Sequence, residues 1–227
     1  MIFHDQITSP VNLVDGVGIA IRRYSNNQNH IAILFKEREN EELVRIIHVG
    51  SYKGEFIGEV DKYYLWADLN WIHPIRKQAL LASIQQIADV NRDTTLRYGF
   101  NHSVFCFDPD TGRLNANYDQ TKGFTCSTFV LEVFLANGIT LIDWETWPEA
   151  DEADREFQNL VLNYLLNQIG NITEEYLNAQ RQQLGGPRFK PQEIAVASQT
   201  MHKTTWDEAQ EPAGNLNHQL TQRQAAS

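Results

Sequence analysis

The sequence predicts an α+β protein, in which an antiparallel sheet carrying His30 and His48 packs on a helix that begins at Cys126, with further helices after it. Three observations lead there. Up to residue 69, short runs rich in Val, Ile and aromatic residues are closed by polar or Gly-containing turns. From Pro74 onward the apolar residues recur at helical spacing. At 123–130, the run Gly-Phe-Thr-Cys-Ser-Thr-Phe-Val puts a thiol at the head of an apolar helix.

Taken in order, residues 13–24 read as a strand in which Gly16 and Gly18 mark a turn or bulge. A polar loop at 25–29 leads into His30-Ile31-Ala32-Ile33-Leu34-Phe35, a run apolar enough for a buried strand. The charged stretch 36–42 predicts a solvated hairpin connection, and 43–49 the returning strand, which ends at a turn over 53–55. Tyr63 to Leu69 predicts an aromatic-rich strand, so the whole region reads as an antiparallel meander.

Pro74 suits the first turn of a helix over 75–90. Asp108-Pro109-Asp110-Thr111-Gly112 is a turn. In the Cys126 helix, apolar residues at 129, 130, 133 and 134 face a core, and Asn137-Gly138 supplies the stop. Between Asp143 and Glu156 stand seven acids and one Arg, which predict a solvated connection and a helix start. Phe157, Leu160, Val161, Tyr164 and Leu165 mark an amphipathic helix ending at Gly170. A shorter one runs from Glu174 to Leu184 and stops at Gly185-Gly186-Pro187. Beyond it Gln, Asn, Thr and Ala dominate, and 203–227 reads as a flexible polar tail.

A chain of 227 residues with a hydrophobic fraction of 42% can build one ordinary core with an appendage. The formal charge of −10 argues against a general nucleic-acid surface, which needs clustered Lys and Arg. No segment approaches the roughly 18 apolar residues of a membrane span. Residues 1–10 lack a basic stretch followed by an apolar run, and two cysteines are too few for a disulfide framework. A reducing, cytoplasmic setting is therefore expected, without excluding export as an effector. No C-x-x-C spacing suggests zinc, and His4, His73, His102, His202 and His218 show no metal-ligand spacing, so no cofactor or metal is expected.

The helix start predicts chemistry at Cys126. Unpaired N–H groups and the positive end of the dipole favour an anion there, which predicts a lowered thiol pKa and a stronger nucleophile. A hairpin places His30 and His48 on adjacent strands. A thiol catalyst needs one imidazole to take the thiol proton and return it to the leaving group, and a second polar group to fix the tautomer. The bland alternative is a buried structural cysteine with packed histidines.

His30-Ile31-Ala32-Ile33-Leu34-Phe35, then Arg45-Ile46-Ile47-His48-Val49, then Thr125-Cys126-Ser127-Thr128-Phe129-Val130 resemble the circularly permuted papain-like families. These comprise the lecithin:retinol acyltransferase-like proteins and the permuted relatives of NlpC-type peptidases. The resemblance covers about residues 25–140. It departs from the acyltransferase-like pattern at Thr125, where that family has Asn, and at Ser127-Thr128, where it has Glu-His. It implies a permuted papain-like domain over 1–150, accessory helices over 151–202 packed on it, and the tail at 203–227. It also implies Cys126 as nucleophile, His30 as base and acid, His48 as the orienting residue, and the Cys126 N–H in an oxyanion hole. A competing register, on His48-Val49-Gly50-Ser51-Tyr52, makes His48 the base and Glu59 its orienting group.

The resulting expectation is a thiol hydrolase of peptidase or amidase type acting through an acyl-enzyme. The alternatives are a lipid acyltransferase or thiol esterase on the same scaffold, and a non-enzymatic binding module. Substrates would be peptides, amides or acyl esters; oligomeric state is left open. Asp68 reads as a turn cap, with orienting a histidine or serving the oxyanion region as its alternatives, Cys106 as packing, and Trp66, Trp71, Trp144 and Trp147 as core or groove residues.

Overall fold

The structure, a computed structural model, describes residues 2–13, 15–25, 28–38, 43–50, 56–92, 96–100, 106–115, 121–168 and 172–225. It is α+β, with a six-stranded antiparallel sheet and six helices among those residues. The strands are β1 (His4–Asp5), β2 (Val17–Ser25), β3 (Gln28–Lys36), β4 (Val44–Ile47), β5 (Ile57–Glu59) and β6 (Leu65–Asp68). The helices are α1 (Pro74–Val90), α2 (Cys126–Ala136), α3 (Glu152–Gln168), α4 (Glu174–Arg181), α5 (Pro191–Ala197) and α6 (Trp206–Ala225).

The sheet order is β1-β6-β2-β3-β4-β5. The expected meander holds from β2 to β4 and runs on into β5, but β6 then crosses to the far edge of β2 and pairs Gly18 with Asp68. The short strands β1 and β5 lack a sequence signal of their own. The turn expected over 53–55, Ser51-Tyr52 of the competing register, His102, part of the 36–42 connection and the stop at Gly170 lie outside the described residues.

Central β3 explains its own uninterrupted apolar sequence, because both of its faces are buried. Ile31, Ile33 and Phe35 join the main core with α1, α2, α5 and α6. Ala32 and Leu34 join a second cluster with Leu13, Ala20, Ile46, Tyr64 and Trp66 on the opposite face. Helix α1 is tied to the sheet by Lys77, 1% exposed, which pairs with Asp15 at 3.2 Å and with Asp68. Asp68 also accepts from the Leu69 N–H. It is thus a structural anion at the base of α1.

The C-terminal region differs from expectation. Residues 206–225 form α6 rather than a flexible tail. Ala209, Ala213, Leu216 and Leu220, spaced for one helical face, are all buried. The surrounding Gln and Asn lower the average apolar content and hide that stripe. Arg223 anchors the far end on Asp5 at 2.8 Å and on the carbonyls of Lys62 and Tyr64. Helix α5, which has no periodic signal over its seven residues, buries Ile194, Ala195, Val196 and Ala197 in the main core. Because α5 and α6 share that core with the sheet, packing does not separate 1–150 from an accessory layer.

Leu216→Ala removes a side chain from this stripe and should lower the unfolding free energy by ~2–5 kcal/mol. Urea denaturation followed by circular dichroism reads the change. An unaltered midpoint would mean that α6 contributes nothing to the folded core.

Candidate active site

Cys126 is the first residue of α2, as the sequence predicts. Thr125 caps it: its hydroxyl accepts from the Thr128 N–H at 3.1 Å, and the Thr128 hydroxyl accepts from the Thr125 N–H at 2.9 Å. The Phe129 N–H goes to the Thr125 carbonyl at 3.0 Å. This cap serves the third helical N–H, while those of Cys126 and Ser127 favour a thiolate on Cys126. The far end of α2 stops at Asn137, and Gly138 takes φ +68°, a left-handed value that favours glycine.

The segment before Cys126 is held by a clamp from α4. Gly99 N–H bonds to the Phe124 carbonyl at 3.1 Å and Phe124 N–H to the Arg97 carbonyl at 2.9 Å. Tyr176 donates its hydroxyl to the Tyr98 carbonyl at 2.7 Å, and Gln180 donates to the Thr121 carbonyl at 2.8 Å while accepting from Phe100 N–H at 2.9 Å. A Cβ at Gly123 would collide with the Tyr176 hydroxyl and come within 2.9 Å of the Arg97 carbonyl. Only glycine fits that crossing without displacement.

The sheet supplies the histidines. Lys36 N–H bonds to the Gly16 carbonyl and Glu37 N–H to the Leu43 carbonyl. Even-numbered residues of β3 therefore turn their backbone groups to β2, and odd-numbered residues turn theirs to β4. Registered pairing with β4 ends at Ile33–Ile47. The Ile31 N–H, next on the β4 side, lies beyond that pairing and favours a thiolate on Cys126. His30, its neighbour in the chain, is 7% exposed and places Nε2 2.8 Å from Nδ1 of His48. The two rings meet nearly edge-on, at 77°. A Cβ at Gly50 would sit 3.2 Å from the His48 ring, so this glycine leaves the pair its space.

Cys126, His30 and His48 line one cavity of about 300 Å³, bounded also by Arg22, Tyr98, Phe157, Arg188 and Phe189. The structure thus brings together all three residues singled out from sequence. It does not bring Glu59 to them: that carboxylate is 85% exposed and pairs with Arg45 at 3.0 Å, while Nδ1 of His48 is engaged by His30. Cys106 is core packing. Trp66 and Trp147 are buried; Trp144 and Trp147 support the cavity only indirectly, through Phe189. Asp108 forms the expected turn, accepting from the Thr111 N–H at 2.8 Å. Among the described residues, no group of three or more His, Cys, Asp or Glu is placed to hold a metal ion. No helix among them is long and apolar enough to cross a membrane.

Sequence reasoning missed Arg22. The loop at 25–29 makes β2–β3 a hairpin, but counting outward from it puts Tyr24 opposite His30; the irregularity between Arg23 and Ser25 shifts the register and sets Arg22 there instead. The hairpin pointed to the neighbourhood, not to the residue. Arg188 and Phe189 carry no such signal, since they reach the cavity only through the packing of α3 and α5.

The electrostatics correct one expectation. Burial pushes the Cys126 thiol up, and the N–H of Ile31, the Ser127 hydroxyl and the N–H groups of Ser127 and Cys126 offset this only in part. Removal of the sulfur from water outweighs the helix start. Burial, then His48 and Arg22, lower the pKa of His30 to about 3. Burial and Arg22 lower that of His48 to about 4. At neutral pH the site rests as a neutral thiol beside two neutral imidazoles.

Comparison of the chain with protein-family models, curated proteins and solved structures finds no match.

The histidine pair gives the fold a pH dependence. Both rings titrate near 6.5 when unfolded and near 3 to 4 when folded. The unfolded chain therefore binds more protons below pH 6.5, so stability is complete above that value and falls as pH drops toward 4. At about pH 4.5 the loss should be on the order of 2 kcal/mol per ring. Denaturant midpoints of wild type should fall across this window more steeply than those of a His30→Gln, His48→Gln double variant. Equal slopes would contradict the assignment.

Proposed function

We propose that this protein is a thiol hydrolase of amidase or peptidase type on a permuted papain-like fold, with Cys126 as nucleophile. The observation that carries this reading is the convergence on one cavity of a capped helix-start cysteine and a hydrogen-bonded histidine pair. The order of sequence elements, with the histidine strands before the cysteine helix, supports the permuted fold.

His30 Nε2 is engaged by His48 Nδ1, so the His30 nitrogen left to serve the thiol is Nδ1. The productive tautomer has His30 donating from Nε2 to His48, which carries its own proton on Nε2. As the sulfur attacks the carbonyl carbon, its proton passes to His30 Nδ1 and the S–C bond forms. Negative charge collects on the carbonyl oxygen, within reach of the N–H groups of Cys126 and Ser127. Collapse of this intermediate breaks the C–N bond, and His30 returns the proton to the leaving amine. Water then attacks the thioester and gives a proton to His30; the C–S bond breaks, the acid leaves, and His30 returns the proton to the sulfur. Because the thiol is neutral at rest, proton transfer accompanies attack; no standing thiolate–imidazolium pair is required.

Two observations favour other readings. Tyr98, Phe100, Phe157 and Phe189 line the cavity, which suits an apolar acyl group and hence ester or acyl-transfer chemistry on a lipid. The raised thiol pKa suits a non-enzymatic scaffold.

Incubation with p-nitrophenyl acetate separates enzyme from scaffold. The wild type should release p-nitrophenolate and carry an acetyl group on Cys126 by peptide mass spectrometry. Cys126→Ala should abolish both with an unchanged thermal midpoint, and His30→Ala should slow acylation by about 10²–10⁴-fold. Full turnover by Cys126→Ala would overturn the proposal.

A further inference from the structure

Arg22 stands directly across the β2–β3 pair from His30, so both side chains leave the same face of the sheet. Its Nη1 is committed to Asp61. The guanidinium lies over the Tyr64 ring at 5.1 Å and the Tyr24 ring at 5.8 Å. Its Nε is buried and has no hydrogen-bond partner among the described residues. A buried donor without a partner is destabilising, and an arriving acceptor relieves that cost.

Arg22 and Tyr24 also line a second cavity, of about 260 Å³, together with Arg23, Tyr63 and Arg223. Arg22 therefore forms part of the wall shared by this cavity and the one at Cys126. Three guanidinium groups collect here in a chain whose formal charge is −10. Asp61 and Asp5 offset part of that charge. Arg23 donates to the side-chain oxygens of Asn29 and Asn217 at 3.2 and 2.8 Å, which ties the cluster to α6 and to the residue before His30.

We propose that Arg22 is the receptor for a carboxylate on the substrate, and that the preferred substrates are acidic amides whose carboxylate lies a few bonds from the scissile carbonyl. The inference rests on the hydrolase reading for the role of Cys126, and on Arg22 alone for the selectivity. A guanidinium edge offers in-plane donors that match a carboxylate, and a partly desolvated site strengthens the pairing. Asp61 holds the opposite side of the group and fixes the orientation of that edge. The arginines of the second cavity add a positive field that draws an anion past Arg22.

The test is a titration of full-length Cys126→Ala protein with N-acetyl-L-glutamate, N-acetyl-L-glutamine and inorganic phosphate, read at the arginine Nε–H resonances by NMR. The acid should shift the Arg22 signal and bind about tenfold tighter than the amide, or better, as expected for a charged hydrogen bond. Arg22→Lys, which keeps the charge and removes the Nε edge, should erase most of that preference. Asp61→Asn, which removes the competing carboxylate, should strengthen acid binding; it also keeps the idea testable if the Arg22 variant fails to fold. Equal binding of acid and amide, binding of phosphate alone, or no binding of any probe at millimolar concentration would each overturn the inference. The two readings fail separately. Acid-selective binding without acylation of Cys126 removes the hydrolase and keeps the receptor, whereas turnover indifferent to a substrate carboxylate does the reverse.

Discussion

Pairing between β3 and β4 stops at Ile33–Ile47, and the candidate site occupies the opening that this leaves. Had the ladder continued, the Ile31 N–H would be spent on β4 and the sheet would be closed where the thiol now reaches it. Instead that N–H is left to favour a thiolate on Cys126, and the next residue back, His30, lines the same cavity as the sulfur. The histidine pair depends on the same divergence. His48 follows the last paired residue of β4, and its N–H continues the β4–β5 ladder to the Phe56 carbonyl.

The opening is sustained by elements distant in sequence. Helices α2 and α5 both pack on β3. Helix α4 clamps the segment before Cys126 through Tyr176 and Gln180, and α6 reaches Asn29 and Arg23 through Asn217. A backbone donor stripped of its strand partner must find another acceptor, and a buried thiol is a weak one. The packing of α2, α4 and α5 holds the two together regardless. This also explains the resting electrostatics: the enclosure that aligns thiol and imidazoles removes them from water, so all three are held neutral.

Arg22 adds the remaining charge. It lowers the proton affinity of both rings from across the strand pair and remains cationic beside them.

Much of this was legible in the chain. The apolar run of β3, Pro74 in the first turn of α1, the stop at Asn137-Gly138 and the cysteine at the head of α2 all follow from local rules of period, cap and turn. So does the adjacency of His30 and His48, because a hairpin fixes which residues face each other. The thiol pKa did not follow, since the helix start is a local effect and burial is not. Helix α6 was hidden because its stripe of Ala and Leu is narrow and lies among Gln and Asn, and becomes apolar surface only against α5 and β2. Local sequence determined which residues form each element and which face each presents. The crossing of β6, the gap beside Ile31 and the cavity walls from α3, Arg188 and Phe189 were decided by tertiary packing, because they depend on contacts between segments whose separation along the chain carries no periodic signal.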